Sequence, residues 1–183
     1  MWDHDAAVML LSSERELEEN SSFLDEIFKN MEAKVIVDLG CGSGFYAKKL
    51  RQFASVLYCI DSSEEMISVA RKGVKDDKLI FLCEDSAKTS LPDSSVDVVF
   101  MGNSFHDMDK GKTSAEVARI LRSDGSVVVV DWKKEGENMS MRGPPGSMRM
   151  TENDYLKWFS GFQVTKRFNV GNQHFGIVMV RIV

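Results

Sequence analysis

The residues best suited to chemistry lie in one short run, Val35-Ile36-Val37-Asp38-Leu39-Gly40-Cys41-Gly42-Ser43-Gly44. An apolar strand-length segment runs here into a glycine-rich turn that opens a helix. Gly40, Gly42 and Gly44 remove side chains where backbone must come close to a ligand. Dinucleotide-binding turns have the related spacing G-x-G-x-x-G. The third glycine of that pattern would fall at position 45, which is Phe45. Asp38, at the carboxyl end of the strand, would also repel a pyrophosphate, whereas it attracts a cationic ligand carrying ammonium and sulfonium groups.

Further acidic residues follow at the ends of later apolar runs. Asp61 closes the second run about 20 residues beyond the glycine turn, where a carboxylate accepts hydrogen bonds from ribose hydroxyls. Asp85 follows the third and is placed to receive an adenine amino group. A single strand-end aspartate is commonly a turn former or helix cap. Three on successive parallel strands line one crevice above the sheet, the usual ligand position in open α/β folds.

These residues need a parallel sheet to bring them together. The apolar runs Val35–Val37, Val56–Ile60, Leu79–Leu82, Val96–Met101 and Val127–Val130 are strand length and apolar on both faces, as buried parallel strands are. Helical stretches alternate with them: one over 45–53, one starting after Ser62 or Ser63, and one carrying Ala115, Ala118, Ile120 and Leu121 that stops before Asp124-Gly125. The interval between Asp85 and Val96, with Leu91-Pro92-Asp93-Ser94, is too short and turn-rich for a helix. Thr151 caps a helix to about Ser160, with Asp154 three residues on and Gly161 beyond its end. Two strands, 162–168 and 174–183, are joined by Asn169-Val170-Gly171-Asn172-Gln173. So short a link excludes a parallel crossover, and the last strand therefore runs antiparallel. At the other end, Ser13 with Glu16 forms a capping-box pair ahead of Leu17, Phe23, Leu24, Ile27 and Phe28 at interrupted helical spacing.

Taken together, Val-Asp-Leu-Gly-Cys-Gly-Ser-Gly, then Asp61, Glu84-Asp85 and Leu91-Pro92-Asp93-Ser94-Ser95-Val96-Asp97-Val98-Val99 resemble class I S-adenosylmethionine-dependent methyltransferases. The type 11 group, which includes ubiquinone/menaquinone-pathway enzymes, is the most similar. Ile120-Leu121-Arg122-Ser123-Asp124-Gly125 resembles that group's L-K-P-G-G segment, with Ser-Asp in place of Pro-Gly. The small archaeal-type members share Asn103-Ser104-Phe105-His106-Asp107-Met108 and Gly143-Pro144-Pro145. The resemblance runs from about Val35 to Val183. It implies an α/β Rossmann-like three-layer sandwich, with a mostly parallel seven-stranded sheet whose last strand is antiparallel. It also implies S-adenosylmethionine as cofactor and S-adenosylhomocysteine as product. Carried onto these positions, Asp38, Gly40 and Gly42 contact the methionine end, in a turn that includes Cys41 and Gly44. Asp61 with Ser62 holds the ribose, Asp85 with Ser86 the adenine, and Asn103 faces the sulfonium.

On the acceptor side, His106 follows the fourth strand and titrates near neutral pH, which makes it the candidate general base, with Asp107 to orient it. His4 and His174 have weaker cases. The methionine-rich segment Asn138–Met150 offers adaptable apolar surface, and Arg142 and Arg149 are cations for a carboxylate or phosphate.

The expected organisation is one domain over 1–183: a helical lead-in (1–33), a cofactor-binding core (34–132), a substrate loop (133–150), and a helix with an antiparallel hairpin (151–183). A net charge of −5 argues against a nucleic-acid partner. The sequence also lacks an Asn-Pro-Pro-aromatic run after the fourth strand, which an amino-directed DNA enzyme would carry. A small-molecule acceptor is expected, while a protein or RNA acceptor, or a non-enzymatic cofactor-binding module, shares the same core. No run of about 18 apolar residues is present to span a bilayer, and Met1-Trp2-Asp3-His4-Asp5 lacks a signal peptide's basic start. Three cysteines without close pairing read as buried reduced thiols in a cytoplasmic protein, with no metal site. A chain this short has little room for an acceptor lid, so a homodimer completing the pocket is a further expectation.

Overall fold

A computed structural model describes residues 21–31, 33–134 and 143–182. The Ser13/Glu16 cap, Leu17, Met139, Met141 and Arg142 lie outside the described residues. The elements, in chain order, are α1 (Phe23–Phe28), β1 (Val35–Leu39), α2 (Ala47–Leu50), β2 (Val56–Asp61), α3 (Glu64–Gly73) and β3 (Leu79–Cys83). They continue with β4 (Val96–Gly102), a 3-10 turn (Phe105–Asp107), α4 (Lys110–Ile120), β5 (Leu121–Trp132), α5 (Glu152–Trp158), β6 (Phe162–Val170) and β7 (His174–Arg181).

The strands form a seven-stranded sheet in the order β3-β2-β1-β4-β5-β7-β6. β1 to β5 pair in parallel, and β7 lies antiparallel between β5 and β6. This is the α/β Rossmann-like architecture the sequence implies. Val127 to Val130, apolar at every position, are all 0% exposed because β5 is covered on both faces. One face packs Ile36, Leu57, Phe100 and Val128 under α1, α2 and α3 residues such as Phe28, Leu50 and Ile67. The other packs Val37, Val99 and Val129 under α4 and α5 residues such as Val117, Ile120 and Tyr155. The parallel order reverses at β1/β4, which opens a crevice beyond the carboxyl ends of these strands.

Three local readings change. The helix expected over 45–53 is regular only at Ala47–Leu50, with turns on either side. The third helix ends at Ile120, and β5 begins at once with Leu121 rather than at Val127, so Asp124-Gly125 lies inside the strand. There Gly125 is needed because a Cβ would sit 2.7 Å from the Leu121 side chain. Cys41 and Cys59 are buried free thiols, but Cys83, at the end of the edge strand β3, is exposed.

At the amino-terminal end of the sheet, Asp97 joins two chain segments. Its Oδ2 accepts hydrogen bonds from the backbone N–H of Lys34 (2.9 Å) and Val35 (2.8 Å), and its Oδ1 accepts from Arg122. Removing a carboxylate that satisfies half-buried donors leaves them without acceptors. Asp97→Ala is therefore expected to destabilise the fold by about 1–3 kcal/mol. The check is a lower urea midpoint at unchanged m-value.

Candidate active site

The glycine turn depends on left-handed backbone. Gly40, Gly42 and Gly44 have φ of +76°, +52° and +85°. Gly40 and Cys41 both donate their N–H to the Ile60 carbonyl, at 2.8 and 3.0 Å, which pins the turn to the end of β2. The three glycines face different surroundings. A Cβ on Gly40 would lie 2.5 Å from Ser104 Cβ and 2.7 Å from Met108 Cε, so the post-β4 turn packs directly on it. A Cβ on Gly44 would touch Ala70 and Val74, so this glycine serves helix packing. Gly42 faces open space, with nothing within 4 Å of a built Cβ.

Asp38 and Asp61 flank this turn. Asp61 accepts from the Gly42 N–H through Oδ2 (2.9 Å) and from the Ser63 N–H through Oδ1 (2.9 Å). It thus locks the loop and the start of α3, and each oxygen keeps a lone pair for a ligand hydroxyl. Asp38 is only 1% exposed, and its Oδ2 has no hydrogen-bond partner among the described residues. Burial, with the Asp61 charge adding to it, pushes its carboxyl up to about 8. Beside them Cys41 is buried, and a hydrogen bond with Cys59 and its burial hold its thiol protonated. Ser43, a residue the sequence reading passed over, is 1% exposed, and its hydroxyl likewise has no partner among the described residues.

The remaining cofactor-side residues lie farther along the crevice. Ser62 is exposed, and its carbonyl accepts from the Cys83 thiol. Asp85 is exposed and accepts from the Ala87 N–H at 2.9 Å, while Ser86 Oγ pairs with Thr113 Oγ1 of α4 at 3.1 Å. Asn103 adopts φ of +54°, a conformation asparagine tolerates better than most side chains, and its N–H reaches the Val130 carbonyl.

The chain then turns back over Gly40, where Ser104 Oγ donates to the Leu39 carbonyl at 2.9 Å. That bond places His106, 6% exposed, at the mouth of β5. His106 Nδ1 lies 3.1 Å from Asp131 Oδ1, and its Nε2 lies 3.4 Å from Asp107 Oδ2. Asp131 also accepts from the Trp132 N–H and from the Tyr155 hydroxyl of α5. Burial alone would lower the His106 pKa, but the hydrogen bond and charge of Asp131, with the charge of Asp107, outweigh it and raise it. Asp107, the partner expected from sequence, is thus the half-exposed neighbour, and the buried one is Asp131. Sequence reasoning missed Asp131 and Tyr155. The one available signal was a charged residue at the end of the most apolar strand.

Arg149 turns inward instead of offering its charge to a ligand. Its guanidinium donates to the carbonyls of Pro144 (3.0 Å) and Lys133 (3.4 Å) and lies 5.3 Å over the Trp132 ring. His174 is buried at 1% exposure and packs on Trp132.

Residues 37–129 match the family model of the methyltransferase domain. The chain belongs to the methyltransferase domain family. This methyltransferase is 46% identical to a Sulfolobus solfataricus protein assigned to type 11, covering 91% of this chain and 94% of that one, with a TM-score of 0.80. A SAM-dependent methyltransferase from Aquifex aeolicus is 26% identical over 100% of both chains, with a TM-score of 0.86. An uncharacterized chloroplastic methyltransferase of Arabidopsis thaliana is 30% identical over 121 residues, and this chain spans 34% of its length. The cofactor of the family is S-adenosylmethionine. The site suits it: Asp38 Oδ2, buried and without a hydrogen-bond partner among the described residues, meets a cation, and the space beside Gly42 admits a ligand against bare backbone.

Proposed function

We propose that this chain transfers a methyl group to a small-molecule acceptor, with His106 as general base. When bound, S-adenosylmethionine supplies an electrophilic methyl carbon whose leaving group is a neutral thioether. The work left to the protein is to hold the acceptor in line, exclude water and, for an oxygen or nitrogen acceptor, remove a proton.

The observation that carries this reading is the His106–Asp131 contact at the carboxyl end of β5, joined to the glycine turn through Ser104 and Gly40. With Nδ1 committed to Asp131, the neutral imidazole keeps its lone pair on Nε2, which faces the half-exposed Asp107 side. Asp38 and Asp61 would hold the cofactor through its cationic and hydroxyl groups, Asp85 and Ser86 its adenine, and Asn103 the region next to the sulfonium. The net charge of −5 and buried free thiols Cys41 and Cys59 support a small acceptor in a reducing, cytoplasmic setting. No helix among the described residues is long and apolar enough to cross a membrane.

Calorimetry with S-adenosylmethionine and NAD is the first test, and binding of the former alone is expected. Binding of NAD without S-adenosylmethionine would overturn the reading. Radiolabelled methyl transfer into a cell extract is the second, with label expected in the small-molecule fraction. Label confined to protein or nucleic acid would reassign the acceptor. Absence of label despite tight cofactor binding would identify a non-enzymatic binding module.

A further inference from the structure

Asp131 lies buried where three donors converge. Oδ1 takes the Trp132 N–H at 2.8 Å and lies 3.1 Å from His106 Nδ1, and Oδ2 takes the Tyr155 hydroxyl. Asp131 is 1% exposed and Tyr155 is 0% exposed. An unpaired charge at this depth is strongly unfavourable, so each donor is needed.

We propose that Tyr155 is a positioning residue. Acting through Asp131, it fixes the tautomer of His106 and sets how strongly that imidazole holds a proton. The inference rests on the methyl-transfer reading, in which His106 is the base.

The rest of α5 shows why the residue is in place. Tyr155 is the buried residue of that helix, and the reciprocal Thr151–Asp154 capping box aligns the turn that delivers it. Its ring also packs on Phe105, the neighbour of His106, at 5.2 Å between centroids. Burial first, and then the Asp131 charge, raise the phenol pKa well above its usual value, so the hydroxyl stays a donor. The charged groups that face His106 act on it in opposite senses. Asp131 of β5 and Asp107 of the 3-10 turn favour the imidazolium, whereas Lys110 of α4, whose Nζ donates to the His106 carbonyl at 2.9 Å, opposes it. A carboxylate cannot donate, so Asp131 requires a proton on Nδ1 and leaves Nε2 free to accept one. The Tyr155 hydroxyl disperses part of the Asp131 charge. It therefore moderates the pull of Asp131 on the His106 proton.

A ring packed for shape alone would tolerate loss of its hydroxyl without any effect on His106. Long-range ¹H–¹⁵N correlation spectra of the histidine side chains, assigned with His106→Gln, separate the two. In the wild type, the neutral His106 is expected to carry its proton on Nδ1. In Tyr155→Phe its pKa is expected to rise by about half a unit to one unit, roughly half of the one to two units a direct hydrogen bond to a charged group is worth, because the effect reaches His106 through Asp131. In Asp131→Asn it is expected to fall. The acid limb of kcat should follow the Tyr155→Phe shift, with KM for S-adenosylmethionine unchanged. A wild-type tautomer protonated on Nε2, or a Tyr155→Phe titration matching wild type, would overturn the inference, and the first needs no variant. Calorimetry of the same wild-type sample keeps the two ideas apart: failure to bind S-adenosylmethionine removes the methyl-transfer reading, while the spectra still decide what Tyr155 does to His106.

Discussion

Cofactor affinity is expected to rise about tenfold per pH unit between pH 6 and 8, and then to level off. The cause is Asp38, whose carboxyl burial and the Asp61 charge push up to about 8. Below that pH the free protein holds a proton on Asp38. A cation bound beside it favours the carboxylate, so binding releases that proton and strengthens as protons become scarcer. The folded protein alone follows the opposite trend. Between the ordinary aspartate range and pH 8 the unfolded chain has lost this proton while the folded one keeps it. The contribution of Asp38 to stability is therefore fully present below the unfolded pKa and falls as pH rises to 8. Titration in buffers of different ionisation enthalpy checks both the slope and the proton count. Asp38→Asn should flatten the pH dependence, and a wild-type affinity independent of pH over this range would contradict the assignment.

The glycine turn yields the other large effect, as a contrast between neighbours. Gly40→Ala places a Cβ 2.5 Å from Ser104 Cβ at a φ of +76°. The left-handed backbone costs about 1–2 kcal/mol and overpacking about 1–3 kcal/mol more. The strain falls on the turn that carries His106, so both thermal stability and cofactor binding are expected to drop, binding by about 100-fold. Gly42→Ala also has positive φ, but its Cβ meets nothing within 4 Å. Its stability should fall by only about 1 kcal/mol. Its affinity for S-adenosylmethionine should still fall by about tenfold or more, because the methyl group enters space a ligand would use. Melting curves with and without cofactor check the pair. Gly42→Ala that binds like wild type would show that this space is not the ligand's.

Much of this was legible without coordinates, where a residue's role depends on its near neighbours in the chain. The glycine spacing around Asp38 disfavoured a dinucleotide turn, because a misplaced third glycine and a strand-end carboxylate are local facts. The antiparallel course of β7 followed from a link too short for a crossover, and the structure pairs Val128 with Val178 in that sense. Asp61 was placed at the turn by its distance along a strand-turn-helix unit, and Gly42 N–H meets it at 2.9 Å.

The glycine turn and its strand-end aspartates could therefore be read from the chain, since strand-end positions and turn chemistry repeat with the βαβ period. The partners of His106 emerged only from packing. His106 and Asp131 are 25 residues apart, and Tyr155 lies 24 beyond Asp131. Helix α4, strand β5 and helix α5 must all pack before the three side chains meet. No periodicity encodes such a contact, so Asp107, the chain neighbour, looked like the partner. Arg149 looked like a ligand for an anion until the fold laid its guanidinium on Trp132 and two carbonyls. A buried polar group takes whichever partners the packed core brings to it, and long-range packing, not sequence spacing, chooses them.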